Sequence, residues 1–448
     1  MNTTTSHAKE ETQALGPQMA AFEAMEKATN GAAPSWLRCL RTSGIAYFAD
    51  LGLPTATMED WRQTNPEPLA SFGFSSPSRP SNWSHGMIDG WTLPGMDASR
   101  LVLVDGWFMP ELGRWPRHAG GVQIGSLEET IRSRPQWIER FLGRAARYET
   151  NALAAMNTAF LRDGVVVHVP AGVRLSAPVY ILHLATTKGA VIQPRVLVVA
   201  DANAQVEVVE DFVSLGSQPS WTNSVTEIFA AEGATVEHVK IQRENRHSLH
   251  TALVEARQRA QSRIVSHSIS LGARLARNDI NLRLEAPGCD SVLNGLYVAE
   301  GDQLVDHHTI ADHASPHCAS HEFYHGILTG RAKGVFNGRI YVRQGAQKTD
   351  AKQTNRNLLL STEATVHTKP QLEIFADDVK CTHGATVGQL DDQALFYLRA
   401  RGIGETAARR MLIQAFAADV LNRISREPLR NGLESLLNTF LENHPVVT

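Results

Sequence analysis

Two hydrophobic rhythms divide this chain. From Pro17 to Phe48 apolar residues recur at helical steps: Met19, Phe22 and Met25, then Trp36, Leu37, Leu40, Ile45 and Phe48 after a start at Pro34-Ser35. Gly52-Leu53-Pro54 stops that unit, and residues 71–86, where Ser, Pro and Gly interleave, read as a surface loop. Leu101 to Val104, followed by Asp105-Gly106, predicts a short strand and turn, and Leu127 to Leu142 a further helix. Residues 1–16 read as a loose polar tail.

The rhythm changes after Asp163-Gly164. Val165 to Val169 is a strand, with Pro170-Ala171-Gly172 as its turn. Strand-sized runs follow at Val179–Leu184, Val196–Val199, Val206–Val209, Thr235–Ile241, Ile264–Ile269, Ile280–Leu284, Val292–Val298 and Val335–Val342. Short turns such as Ala202-Asn203-Ala204, Glu232-Gly233-Ala234 and Ala286-Pro287-Gly288 separate them. So many short strands with almost no helical pattern predict an all-β unit. A sandwich and a β-solenoid both fit. A sandwich would need fewer strands and cleaner alternation, so the pattern leans toward stacked coils.

Helix returns after Gly388. Asp391 or Asp392 can cap a helix running to Arg401, with Gly402 just past its end. A second helix starts near Glu405, with Leu412, Phe416, Val420 and Ile424 as its apolar stripe. A third follows Pro428 with Leu429, Leu433, Leu436, Leu437 and Phe440. The predicted organisation is a mostly helical region over 1–160, a β core over 161–388, and a helical region over 389–448.

Composition narrows the function classes. At 448 residues the chain exceeds one ordinary hydrophobic core. A formal charge of −3 offers no basic field for a phosphate backbone, so nucleic acid is not an expected partner. No apolar run reaches membrane-spanning length, and the start of the chain has no apolar signal core. A soluble cytoplasmic protein is the expectation. Cys39, Cys289, Cys318 and Cys381 form no CxxC pair and read as free thiols. The P-loop, dinucleotide and nucleophile-elbow motifs are missing, and no catalytic residues are expected.

Two constellations could carry chemistry. In Cys381-Thr382-His383 an extended backbone would project thiol and imidazole from one face, and both are ligands for iron. Two ligands cannot hold a cluster, which usually needs four, so the rest would come from elsewhere in this chain or from a partner; taken alone, so short a motif reads better as a buried Cys beside a surface His. The second is a histidine-rich stretch: His307, His308, His313, His317, His321 and His325 lie within 19 residues, with Cys318 among them. His313, His317, Cys318 and His321 are metal-ligand candidates there. Polar ladders on the outside of β-coils account for the stretch better.

The run from Gln347 to Ile403, which contains KCTHGATVG and LDDQALFYLRARGI, resembles the SufB/SufD family of iron–sulfur cluster assembly scaffolds. Similarity also appears in GVVVHVPAGVRL (164–175), LPTATMEDWRQT (53–64) and DGWFMPELG (105–113). The B-type cysteine and glutamate of the tail are not evident, which puts the chain in the D branch. The resemblance implies a right-handed parallel β-helix flanked by helical regions. It implies a non-catalytic scaffold that pairs with SufB and two copies of the ATPase SufC, or with a second copy of itself when SufB is absent. It implies a transient iron–sulfur cluster at the SufB interface, with Cys381 and His383 contributing to it. ATP would enter only through SufC, docked on Leu395, Phe396, Tyr397, Arg399, Arg401, Met411 and Phe416, and a reduced flavin would associate with the complex. A purely structural subunit and a β-helix polysaccharide-active enzyme are the rival readings.

Overall fold

A computed structural model describes residues 15–443 apart from 30, 32, 97–98 and 116–119, so the expected tail over residues 1–16 lies almost wholly outside the described residues. The valine-rich runs stack into a parallel β-solenoid with two ten-stranded sheets. Sheet I runs from the hairpin Arg100–Val104/Trp107–Phe108 at its base through Val179–Ala185, Gln205–Ser214, Thr235–Gln242, Arg263–Ser270, Asp290–Ala299, Ala319–Leu328 and Asp350–Leu359 to Lys380–Gly388. Sheet II starts from Gln123–Ser126, antiparallel to Val165–Val169. It climbs through Arg195–Ala200, Trp221–Ala230, Leu249–Gln258, Leu275–Leu284, Leu304–His313 and Lys333–Val342 to Thr365–Ile374, and the tenth strand, Val191–Ile192, pairs with Trp221–Ala230 beside that path. The repeat is irregular: Leu249 pairs with Leu275, 26 residues on, and Lys333 with Thr365, 32 residues on.

The early strands read as unbroken apolar runs because both faces are covered. Val165, Val167 and Val169 point into the solenoid with Val196 and Val198, while Val166, Leu197 and Val199 meet Leu127, Ile131 and Ile138 outside. The region over 1–160 is therefore not simply helical, since it supplies Arg100–Val104 and Gln123–Ser126 as base strands. The helix expected over Leu127–Leu142 is split into Leu127–Ser133 and Pro135–Ile138, because Pro135 has no amide to continue the ladder.

One corner of the solenoid repeats a left-handed backbone. Gly172, Asn203, Gly233, Gln261, Gly288, His317 and Lys348 all have φ between 57° and 76°. Several of these residues, His317 included, donate the backbone N–H to a carbonyl of the next coil. His317 is thus a corner residue whose conformation costs something that glycine or asparagine would avoid.

The C-terminal helices Asp392–Ala400, Glu405–Leu421 and Glu427–Asn443 follow the expected starts, with the Asp391 carboxylate accepting from the Gln393 and Ala394 amides. Ile413, Ala417, Val420, Leu421, Ile424, Leu429, Leu433 and Leu437 pack on the outer face of sheet I, over Leu296, Val298, Ile327 and Leu358. Each fully buried aliphatic there contributes about 1.5–3 kcal/mol. Val420 and Ile424 of the expected stripe are buried in this contact and Phe416 packs at its margin, while the buried face widens to Ile413, Ala417 and Leu421 and leaves Leu412 half-buried.

Among the described residues nothing covers the far end of the solenoid. Thr365–Ile374 and Lys380–Gly388 each have one ladder neighbour, and nearly every residue of the latter is exposed. A free strand edge of this length is a template for pairing with another chain.

Candidate functional site

Cys381 and His383 lie on that last strand, Lys380–Gly388. Cys381 is half-buried against Ile340, Val342, Ala346, Ala351 and Leu372, so its side chain turns toward the solenoid axis. His383, two residues on, shares that face and stands exposed. Burial raises the Cys381 thiol above its usual range, and the nearby Asp350 charge adds to the effect. A metal ion would have to displace that proton to recruit the sulfur. Among the described residues no set of three or more His, Cys, Asp and Glu side chains is arranged to hold a metal ion. Ile374, Phe375 and Val387, on the strands and turn of the same coil, are exposed hydrophobics.

Beneath this edge the solenoid interior is polar. Register sets His383 over Gln353, and Gln353 over Glu322. Gln353 Nε2 donates to Glu322 Oε2 at 3.0 Å, and Thr309 Oγ1 donates to the same oxygen at 2.6 Å. Burial pushes the Glu322 carboxyl up to about 7, against these two hydrogen bonds. Deeper in, Lys240 donates to Asn278 at 2.6 Å, and burial brings its ammonium down to about 8. Burial would raise the Glu210 carboxyl, but hydrogen bonds from His183 and His238 outweigh it and hold the group well below the carboxylate range.

The histidine-rich stretch is dispersed rather than gathered. His307 and His313 turn inward, His307 between the rings of Tyr297 and Tyr324 and His313 bonded to Ser320 at 2.8 Å. His308 turns outward to Asp306 at 3.0 Å, His317 is the corner residue, and His321 lies exposed near Asp350. His325 packs outside, its ring 4.2 Å from that of Phe416 and its Nδ1 2.9 Å from the Phe416 carbonyl oxygen. The stretch is thus not only an outer ladder. Cys318 is buried beside Cys289, both thiols directed at the Ala286 carbonyl.

The C-terminal candidates also divide. Phe396 and Tyr397 are 74% and 57% exposed, and Met411 is exposed too. The Arg401 guanidinium lies 5.1 Å from the Tyr397 ring, and Arg399 pairs with Glu405 at 3.3 Å. Leu395 is a buried anchor, and Phe416 is held against His325. Sequence reasoning missed Glu322, Gln353, Lys240 and Glu210. Their signal is polarity at inward positions, visible only once the register is known.

Two family models match the chain: the SufBD core domain of SUF system FeS cluster assembly over residues 183–416, and the SufBD protein N-terminal region over 18–181. An iron–sulfur cluster assembly SufBD family protein of Synechocystis sp. is 32% identical over 89% of this chain and 90% of its own. The iron–sulfur cluster assembly protein SufD of Escherichia coli is 33% identical over 85% and 87%, and that of Bacillus subtilis 25% identical over 90% and 94%.

Proposed function

This chain belongs to the SufBD family of SUF-system iron–sulfur cluster assembly proteins, and from that premise we propose that it is the D-type scaffold subunit, completing a cluster-building site with a SufB partner. Cys381 and His383 supply part of a coordination shell, and the partner supplies the remaining ligands. The uncovered last coil pairs edge to edge with the partner's strands, and the exposed Ile374, Phe375 and Val387 are covered in doing so. The nascent cluster and its iron are cargo, assembled and passed on. SufC docks on the exposed Phe396, Tyr397, Arg401 and Met411, and ATP acts there rather than on this chain. The reduced flavin belongs to the complex. The subunit catalyses nothing by itself and works in the cytoplasm.

The observation that carries this reading is the place of the two candidate ligands: on the inward face of Lys380–Gly388, the last strand of its sheet, which has a single ladder neighbour among the described residues. A lone metalloprotein would bury a complete shell, and half a shell at an open edge fits a shared site. The test uses the chain co-expressed with SufB and SufC. His383→Ala is expected to cut cluster yield at least about tenfold, as losses around a metal shell do, while the assembly's mass and stoichiometry stay the same. Unchanged yield from intact His383→Ala and Cys381→Ala assemblies would favour the rival reading of a purely structural subunit.

A further inference from the structure

The interior column below His383 holds a feature that cluster ligation alone does not account for. Gln353 is buried and fixed from one side: its amide nitrogen donates to Glu322, and Glu322 is held in turn by Thr309. The facing strand leaves room for this amide and little else. A β-carbon added at Gly338 would stand 2.0 Å from Gln353 Nε2 and 2.6 Å from its Cδ. With the nitrogen committed to Glu322, the orientation of the amide is settled, and its oxygen is the remaining functional atom. That oxygen, Gln353 Oε1, is buried and has no hydrogen-bond partner among the described residues. A buried amide acceptor left unmade costs about 1–3 kcal/mol. The next residue in the column is His383, one strand spacing (about 4.8 Å) above and on the same inward face.

We infer that Gln353 is a positioning residue for His383: its Oε1 accepts the proton of one imidazole nitrogen, which fixes the ring's tautomer and turns the other nitrogen's lone pair toward the open edge. Glu322 and Thr309 form the anchor that keeps the amide from flipping. Histidines that ligate metals generally donate their second ring N–H in this way, which orients the ring and raises its basicity. A flipped amide would present N–H to the imidazole instead and remove the acceptor. The strand pair Asp350–Leu359/Lys380–Gly388 would thus preset His383 before any partner arrives.

The inference rests on His383 being a cluster ligand, but its test does not. In the full chain carrying 15N-histidine, at about pH 8.5 where imidazole is neutral, long-range 15N–1H correlations report each ring's tautomer, and His383→Ala assigns the signal. His383 is expected as a single tautomer in the parent chain. It is expected as a mixture in Gln353→Met, which keeps the volume and loses the acceptor. Glu322→Gln, which keeps an acceptor for the Gln353 amide, is expected to preserve the single tautomer. A mixture in the parent chain overturns the inference even if Gln353→Met does not fold, and so does a single tautomer that survives in folded Gln353→Met. Full cluster yield from His383→Ala would instead remove the ligand reading and leave the tautomer result standing.

Discussion

Replacing Glu322 with glutamine should change the pH dependence of stability more than stability itself. The carboxyl is fully enclosed, accepts from Thr309 and Gln353, and is pushed by burial from about 4.5 to about 7. Because the folded value is raised, the folded state favours the neutral acid. Nothing is lost below about pH 4.5, stability falls as pH rises through the window between the two values, and the loss levels off above about 7. At about 1.4 kcal/mol per unit the full loss is about 3 kcal/mol, of which about 2 kcal/mol develops between about pH 5.5 and 8.5. Glutamine keeps the acceptor and never ionises, so the variant should gain on the parent by about that amount across this range. Any constant penalty from its extra N–H groups cancels in the comparison. Glu255, which burial also pushes up to about 7, titrates in both proteins and cancels too. Entropies of unfolding near 2 cal/mol/K per residue translate the difference into about 2 °C in melting temperature if the chain melts as one unit, and more if coils melt separately. Parallel melting curves for parent and Glu322→Gln from about pH 5.5 to 8.5 would refute the assignment of a strained buried carboxyl.

Two further outcomes follow from buried groups elsewhere. Burial holds His307 down to about 3 and His313 and His325 to about 4, so each keeps the fold favoured while neutral, and stability should fall as pH drops below about 6.5, by about 1.4 kcal/mol per unit for each; urea midpoints that do not decline between about pH 7 and 5 would contradict this. The Glu227 carboxylate accepts from the Gly143, Ala145 and Ala146 amides at 2.8–3.0 Å and pairs with buried Arg195 at 2.6 Å, tying the helical region to sheet II; Glu227→Gln should cost about 3–5 kcal/mol and open residues 127–160 to limited proteolysis, and an unchanged cleavage pattern would show the tie is dispensable.

Particular residues mark what could be read without coordinates. Val165–Val169 and the later runs announced their strands because β-branched residues suit a pleated, covered surface. Asp391 and Gly402 marked the ends of the first C-terminal helix through capping chemistry. Cys381 and His383 stood out for a local reason: alternation along one strand is enough to put i and i+2 on one face. The failures share a different cause. The buried face of the second C-terminal helix is wider than its i, i+4 spacing suggested: Val420 and Ile424 of the expected stripe are buried, but so are Ile413, Ala417 and Leu421, and Phe416 sits at the margin against His325 of the neighbouring sheet. His307 and His308 are adjacent in sequence and face opposite ways, which spacing among the histidines could not reveal.

Gln353 shows the limit most clearly. It stands 30 residues before His383, Glu322 another 31 before it, while elsewhere a coil takes as few as 26 or as many as 32. A shift of one residue moves a strand's whole side-chain set to the other face, so a repeat this variable cannot be used to place a column neighbour by counting. Candidate ligands could therefore be named from residue type, alternation and the family resemblance, whereas the groups proposed to orient them were legible only from register. The same logic explains why the support can be polar and buried without breaking the fold. In a stacked solenoid the backbone bonds of each coil are satisfied by its neighbours whatever side chain points inward, and the interior positions near the open end are free to carry Glu322, Thr309 and Gln353 where the base carries valine.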